Sequence, residues 1–333
     1  MTILLEFREK LKIFYSKHDM YIRPFIKCIV TFITLTTINA NIGFMTRLTN
    51  PVLVIMVALA STFLPFNAVL VLAAIFMVAH FYAASLPVAL VALAIILLMF
   101  LLYYRFSPKE SYLVLLTPIG FMLKIPFILP LLGGLLGTPL SAFPIAFGVI
   151  LYYLMYSVKQ NASVINNSEA SNMLQTYTYL IDNILNNKEM LVCILAFTVT
   201  ILVVYLIRRL SIDYSWSIAI VLGAITNLLI MLVCDYMLNI SYNILWLIIG
   251  ICISVGLAFC VKFMAFHVDY TRTEHVQFED DEYYYYVKAI PKISITSREK
   301  KVKRINPQKK MTKRTSLSLT EEIDLENELK DLK

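Results

Sequence analysis

Apolar residues run along this chain in blocks rather than alternating with polar ones. The blocks Ile29–Phe44, Val88–Tyr104, Ile145–Tyr156, Met190–Ile207, Trp216–Cys234 and Ile244–Phe266 carry almost no charge. Several approach 20 residues, about the length at which a helix crosses roughly 30 Å of hydrocarbon. Inside a bilayer each helix satisfies its own backbone hydrogen bonds, which is why such blocks are read as membrane helices. The pattern predicts an all-α fold, a polytopic transmembrane helical bundle. It has about eight to ten membrane segments, two of them broken at prolines, and a small cytoplasmic C-terminal tail.

Three regions follow. Residues 1–23 form an N-terminal cytoplasmic amphipathic segment, in which Leu4, Phe7, Leu11 and Phe14 recur at helical spacing with Arg8, Lys10, Lys12 and Lys17 among and after them. That suits a helix lying on the inner membrane face. Residues 24–266 form the bundle, including an Asn-rich extracytoplasmic loop over 158–189. Within that loop Leu174, Tyr177, Ile181, Ile184 and Leu185 predict an amphipathic helix resting on the bundle. Residues 267–333 form a cytoplasmic tail, expected to be largely flexible after 297. The charged stretch before the first apolar block reaches Lys27, too long for an ordinary signal peptide, so Pro24–Phe44 reads as a retained membrane helix.

Lysine and arginine mark the cytoplasmic side. The N-terminus, the loop Arg105–Glu110, the pair Arg208/Arg209 and the tail are basic; Ala83–Leu86 and Leu238–Asn243 carry no Lys or Arg, and Arg47 is a single dissenting charge. With both termini inside, the stretch Val52–Tyr82 must start and finish outside, and Tyr112–Leu136 must start and finish inside. Each contains a break. Leu64-Pro65-Phe66-Asn67 interrupts the first and Lys124-Ile125-Pro126, between Pro118 and Pro130, the second. Proline removes a helical hydrogen bond and clashes with the preceding turn. Six full crossings with two opposed hairpins fit this pattern. Two short crossings per break, or a kinked single helix, are the alternatives.

Composition strengthens the membrane assignment: 59% of residues are hydrophobic, 15% charged, and mean hydropathy is +0.74. The five cysteines lie in or beside apolar blocks without metal-ligand spacing, and read as packing residues. No cofactor is implied. Gly133-xxx-Gly137 and the series Gly250, Ser254, Ala258 suit close helix packing, within one chain or in a homo-oligomer.

The candidate pathway residues are Lys124, Asn67 and His80. A lysine flanked by Phe121-Met122-Leu123 and Ile125-Pro126-Phe127 either lines a polar cavity or snorkels from a hairpin tip to the outer surface. His80 either titrates near neutrality or hydrogen-bonds to a neighbouring helix. In the tail, Tyr283 to Thr296 has strand composition, and one strand needs a partner. The four acids Glu279–Glu282 read as a solvated run. A basic stretch from Arg298 to Arg314 includes Lys300, Lys301, Lys303, Arg304, Lys309 and Lys310. It suits anionic lipid headgroups or a cytoplasmic protein partner. It lacks aromatic residues for stacking bases, which disfavours nucleic acid. Ser318-Leu319-Thr320-Glu321 is a capping box opening a short helix.

The run Arg208-Arg209-Leu210-Ser211-Ile212-Asp213-Tyr214-Ser215-Trp216 and the tail run from Val276 to Lys288 resemble a family of uncharacterised multi-pass, permease-like membrane proteins of Gram-positive anaerobic bacteria. The resemblance extends to about Pro291. It implies a bacterial plasma-membrane location and a transport-associated role, and supplies no catalytic or binding residue. The chain has no phosphate-binding GxxxxGK[ST] loop, so ATP-driven transport would need a separate ATPase subunit. It has no GxSxG, no HExxH and no membrane-embedded acid pair, so an enzyme is not expected. A transport-associated subunit and a membrane scaffold that recruits partners through its tail remain the two readings.

Overall fold

The structure, a computed structural model, describes residues 2–161, 186–210, 212–265, 274–279 and 282–289. The described residues form a helical unit reaching His267 and a second unit from Val268 onward. In chain order the helices are α1 (Thr2–Lys17), α2 (Asp19–Asn41), α3 (Pro51–Ala60), α4 (Phe66–Ala84), α5 (Leu86–Phe106), α6 (Ser111–Met122), α7 (Ile128–Leu136), α8 (Ala142–Gln160), α9 (Lys188–Arg208), α10 (Ser215–Leu238) and α11 (Ile244–Ala265).

Local chemistry sets many of the boundaries. Asn50 caps α3 by accepting from the Val52 amide at 2.9 Å, with Pro51 at the first helical position. Ser85 caps α5 and Asn187 caps α9 in the same way, through Val88 and Met190. Asn239 adopts the left-handed conformation that stops α10. Pro65 follows the short 3-10 turn Ser61–Phe63 and separates α3 from α4.

Contacts between distant residues give the level of each helix. The Thr31 and Ser61 hydroxyls are 2.8 Å apart, and Lys27 Nζ donates to the Leu64 carbonyl at 3.0 Å. The α3–α4 turn therefore lies beside the first half of α2. At the other end of α4, His80 meets Asn39 near the end of α2. Thus α2 and α4 run the same way with α3 returning between them. The Tyr103 hydroxyl reaches Asn67, and Ser107 Oγ donates to the Leu140 carbonyl, so α5 returns to the starting level and α7 ends there too. Lys159 meets the Ala40 carbonyl, Lys188 the Leu238 carbonyl, and Lys262 the Ser217 hydroxyl. The direction alternates at every helix from α2 to α11.

Both broken stretches are hairpins, and they enter from opposite ends. The first is asymmetric. Its break falls early, leaving α4 with 19 residues, long enough to cross a membrane by itself. Among the described residues, seven helices meet that length rather than the six expected, and three short ones (α3, α6, α7) complete the alternating set. Arg23, Lys27, Arg105, Lys109, Arg208, Arg209 and Lys262 lie at one end of the bundle. Arg47, Lys124, Lys159 and Lys188 lie at the other. The first end is called inner and the second outer below.

The packed side of a helix mixes small residues with large apolar ones, and the outward side is large and apolar as well. In α11 the buried stripe is Leu247, Gly250, Ile251, Ser254 and Ala258, whereas Leu245, Ile249, Ile253 and Met264 are exposed. Lipid is as apolar as leucine, so close approach through small residues, rather than a hydrophobic contrast, selects the packed face. The glycines confirm intramolecular packing: a Cβ on Gly133 would meet Ile145 and Ile201, and one on Gly250 would meet Phe127 and the Lys124 carbonyl.

In α1 the apolar residues Leu4, Phe7 and Phe14 are exposed, while Arg8 is buried with its guanidinium 5.6 Å from the Phe263 ring centroid. In the second unit β1 (Glu274–Glu279) and β2 (Tyr284–Ala289) pair antiparallel in register Glu274↔Ala289 to Glu279↔Tyr284. The Tyr-rich strand thus finds its partner within the tail. The loop helix containing Leu174 to Leu185, the basic run with Lys300, Lys301, Lys303, Arg304, Lys309 and Lys310, and the capping box at Ser318 lie outside the described residues.

Candidate site at the outer hairpin tip

Lys124 occupies the turn between α6 and α7. The Ile125 amide donates to the Gly120 carbonyl and the Lys124 amide to the Phe121 carbonyl, at 2.9 and 3.1 Å. This pair of hydrogen bonds closes a helix C-terminus and requires a left-handed residue, usually glycine. Lys124 takes that place with φ of 59°. A side chain there costs about 1–2 kcal/mol relative to the right-handed region, so lysine is held at a position where glycine would be cheaper. Pro126 then ends the turn. Gly250 lets the tip approach α11 closely.

The Lys124 ammonium stands 4.8 Å from the ring centroid of Trp246, in the first turn of α11. Both residues lie at the end of the bundle called outer above. Among the described residues no carboxylate comes within 4 Å of it and no hydrogen-bond acceptor meets it. Beneath lies a cavity of about 340 Å³ between the hairpin tip, α8, α9, α10 and α11. Its walls are mainly apolar and aromatic. Phe121 stacks on Tyr152 at 4.4 Å between centroids and meets Tyr153 edge-on, while Phe127 meets Phe197 edge-on.

The polar groups of the wall differ in what they leave free. The Tyr153 hydroxyl and Cys193 sulfur are 3.6 Å apart, and the Tyr242 hydroxyl donates to the Glu189 carbonyl at 3.5 Å. Asn243 accepts the Trp246 amide through Oδ1 at 3.3 Å, as a helix cap does, leaving its amide NH2 without an acceptor among the described residues. Asp235 anchors the same loop by accepting the Tyr242 amide at 2.8 Å.

The other two candidates lie elsewhere. Asn67 sits at the inner end of α4, its Oδ1 accepting from the Tyr103 hydroxyl at 3.1 Å; that hydroxyl also faces the Pro108 carbonyl at 2.8 Å. His80 is fully buried. Its Nδ1 accepts the Met45 amide at 3.2 Å and its Nε2 meets Asn39 Oδ1 at 2.7 Å, while Asn39 Nδ2 donates to the Leu48 carbonyl. A neutral imidazole protonated on Nε2 satisfies every partner. His80 therefore pins the loop between α2 and α3, the helix-bonded alternative. Lys124, Asn67 and His80 share no cavity.

Arg208 turns inward rather than into solvent, donating to the Leu135 and Gly137 carbonyls at the end of α7. Trp246, Asn243, Tyr242 and Tyr153 were not singled out by sequence. Only Asn243, three residues before Trp246, carries a local sign, that of a helix cap.

Among the described residues, seven helices long and apolar enough to cross a bilayer make this an integral, multi-pass membrane protein. No family model, no curated protein and no solved structure matches the chain.

Proposed function

We propose that the protein is a permease-like, transport-associated subunit of a bacterial plasma membrane, with both termini cytoplasmic. One observation carries this reading: two helical hairpins enter the bundle from opposite ends, meet through α4 and α6, and both pack against α2. Opposed interrupted helices are the arrangement by which many transporters line a pathway near the midplane. The excess of Lys and Arg at the end where α2 begins supports the orientation. Between the hairpins lies a small apolar cavity lined by both α4 and α6, through Met77 and Leu115 among others. In this reading that cavity is the occluded pathway, and the Lys124 pocket, which shares no lining residue with it, is the outer mouth. Without a nucleotide-binding motif, drive comes from an ion gradient or a separate ATPase.

The test needs no substrate. Single cysteines replacing Met77 or Leu115, in a cysteine-free background, are exposed to a membrane-impermeant maleimide in cells and in inverted vesicles. A pathway that opens labels them from at least one side. Failure to label from either side, while cysteines at Ala83 and Thr138 react normally, overturns the transport reading.

The exposed tyrosines Tyr283, Tyr284 and Tyr286 on the tail hairpin favour a second reading, a scaffold that recruits a cytoplasmic partner. A two-stranded sheet is marginal alone and is stabilised by further strands. Deleting 268–333 should then remove partners from a cross-linked pull-down while the bundle still folds. An unchanged partner set sinks that reading.

A further inference from the structure

We infer that the pocket beneath Lys124 binds an amphiphilic organic anion, with its charged head at Lys124 and Asn243 and its apolar body against Phe121, Phe127 and Tyr153. The inference deepens the reading of this pocket as the outer mouth of the pathway and rests on it.

Three features converge. The two groups at the rim that lack partners among the described residues, the Lys124 ammonium and the Asn243 amide, are both donors. Both residues are exposed, so water serves these donors in the empty pocket, and an anion replaces that water with charge-assisted hydrogen bonds. The first turn of α11 faces the same rim, and the amide groups of a helix N-terminus favour negative charge there. Below the rim the tyrosine hydroxyls are already engaged, so the floor offers mainly aromatic and aliphatic surface. A small inorganic anion would leave that surface unfilled. A neutral apolar molecule would gain nothing from the two donors, which stay hydrated. About 340 Å³ falls within the range of small-molecule sites. The left-handed Lys124 fits this role, because the backbone turn alone would be better served by glycine.

The same chemistry is offered by a soluble carboxylate with an apolar tail and by an anionic lipid headgroup, and one fluorophore separates them. The chain has two tryptophans, so Trp216→Phe leaves Trp246 as the sole reporter beside Lys124. In nanodiscs of zwitterionic lipid, titration with decanoate should change Trp246 emission saturably, with decanol at least tenfold weaker. Lys124→Ala should weaken decanoate by tenfold or more and Lys124→Arg should retain it. If the natural source is lipid, emission will already differ in phosphatidylglycerol nanodiscs, and decanoate will compete poorly there. If it is a soluble solute, emission will match in both lipids and decanoate will saturate in both. Equal responses to decanol and decanoate overturn the inference. So does a response unaffected by Lys124→Ala in protein of normal melting temperature, or no response at all. Decanoate binding without labelling at Met77 or Leu115 would refute transport and leave the site; labelling without decanoate binding would refute the ligand class alone.

Discussion

Lys27 in α2 donates its ammonium to the Leu64 carbonyl at 3.0 Å, clasping the tip of the first hairpin, and the same ammonium lies 5.7 Å from the Phe66 ring centroid. Leu64 is extended at the break, so its carbonyl has no helical partner. The Lys27→Ala variant should lose about 1–2 kcal/mol, read as a lower melting temperature in detergent, with Lys27→Arg partly restoring it. An unchanged melting temperature would mean that water serves the carbonyl equally well.

The depth of that hairpin can be fixed covalently. Cysteines replacing Thr31 and Ser61, whose hydroxyls are 2.8 Å apart, should oxidise to a disulfide in a background without other cysteines. Thiol-capping gel shifts count the free thiols. Two free thiols after oxidation would show that the α3–α4 turn does not reach this level.

His80 should be structural. The His80→Ala variant strands the Met45 amide and Asn39 in a dry site, a loss of about 1–3 kcal/mol for each unsatisfied partner. His80→Asn keeps an acceptor near the Nδ1 position and should recover part of the loss. Combining His80→Ala with Asn39→Ala should cost less than the sum of the two single changes. Strict additivity in thermal unfolding would mean that the two side chains act independently.

Val204 in α9 is met by two glycines, Gly134 of α7 and Gly223 of α10. A Cβ on Gly134 would lie 2.6 Å from Val204 Cβ, and one on Gly223 would clash with a Val204 methyl group. Each glycine-to-alanine change should destabilise by about 1–3 kcal/mol through overpacking. Adding Val204→Ala removes the methyl group that faces Gly223 and should raise the melting temperature of Gly223→Ala, whereas Gly134→Ala, which meets the Val204 Cβ and the Ile201 carbonyl, should stay destabilised. No recovery would place the strain elsewhere.

Cysteine accessibility in intact cells tests the alternating path. Introduced singly, Ala83→Cys and Lys124→Cys should react with an impermeant reagent from outside, and Lys109→Cys and Thr138→Cys only after the inner face is exposed. All four residues are exposed. Labelling of Lys109→Cys and Thr138→Cys from outside, with the other two protected, would invert the bundle. Labelling of Ala83→Cys and Thr138→Cys on one side would remove the opposed hairpins.

The membrane class, the alternation of ends and the position of both breaks were readable in one dimension. Apolar block length, basic loops and proline are each local quantities with a direct physical effect. The Lys124 turn was expected at a hairpin tip, and it lies in the turn between α6 and α7, against Trp246 at the start of α11. What faces what was not readable. In α11 the buried Leu247 and Ile251 are as apolar as the exposed Leu245 and Ile249, so hydropathy carries no information about the packed side. The early break that made α4 a full-length limb was visible as Pro65, yet its consequence required knowing where α2 places Thr31 and Lys27. Tertiary structure alone separated His80, Asn67 and Lys124 into three sites and joined Lys124 to Asn243 and Trp246, more than a hundred residues away. Membrane helices have uniform apolar surfaces, so partners are chosen by shape, small residues and a few hydrogen bonds, which exist only once the chain is packed.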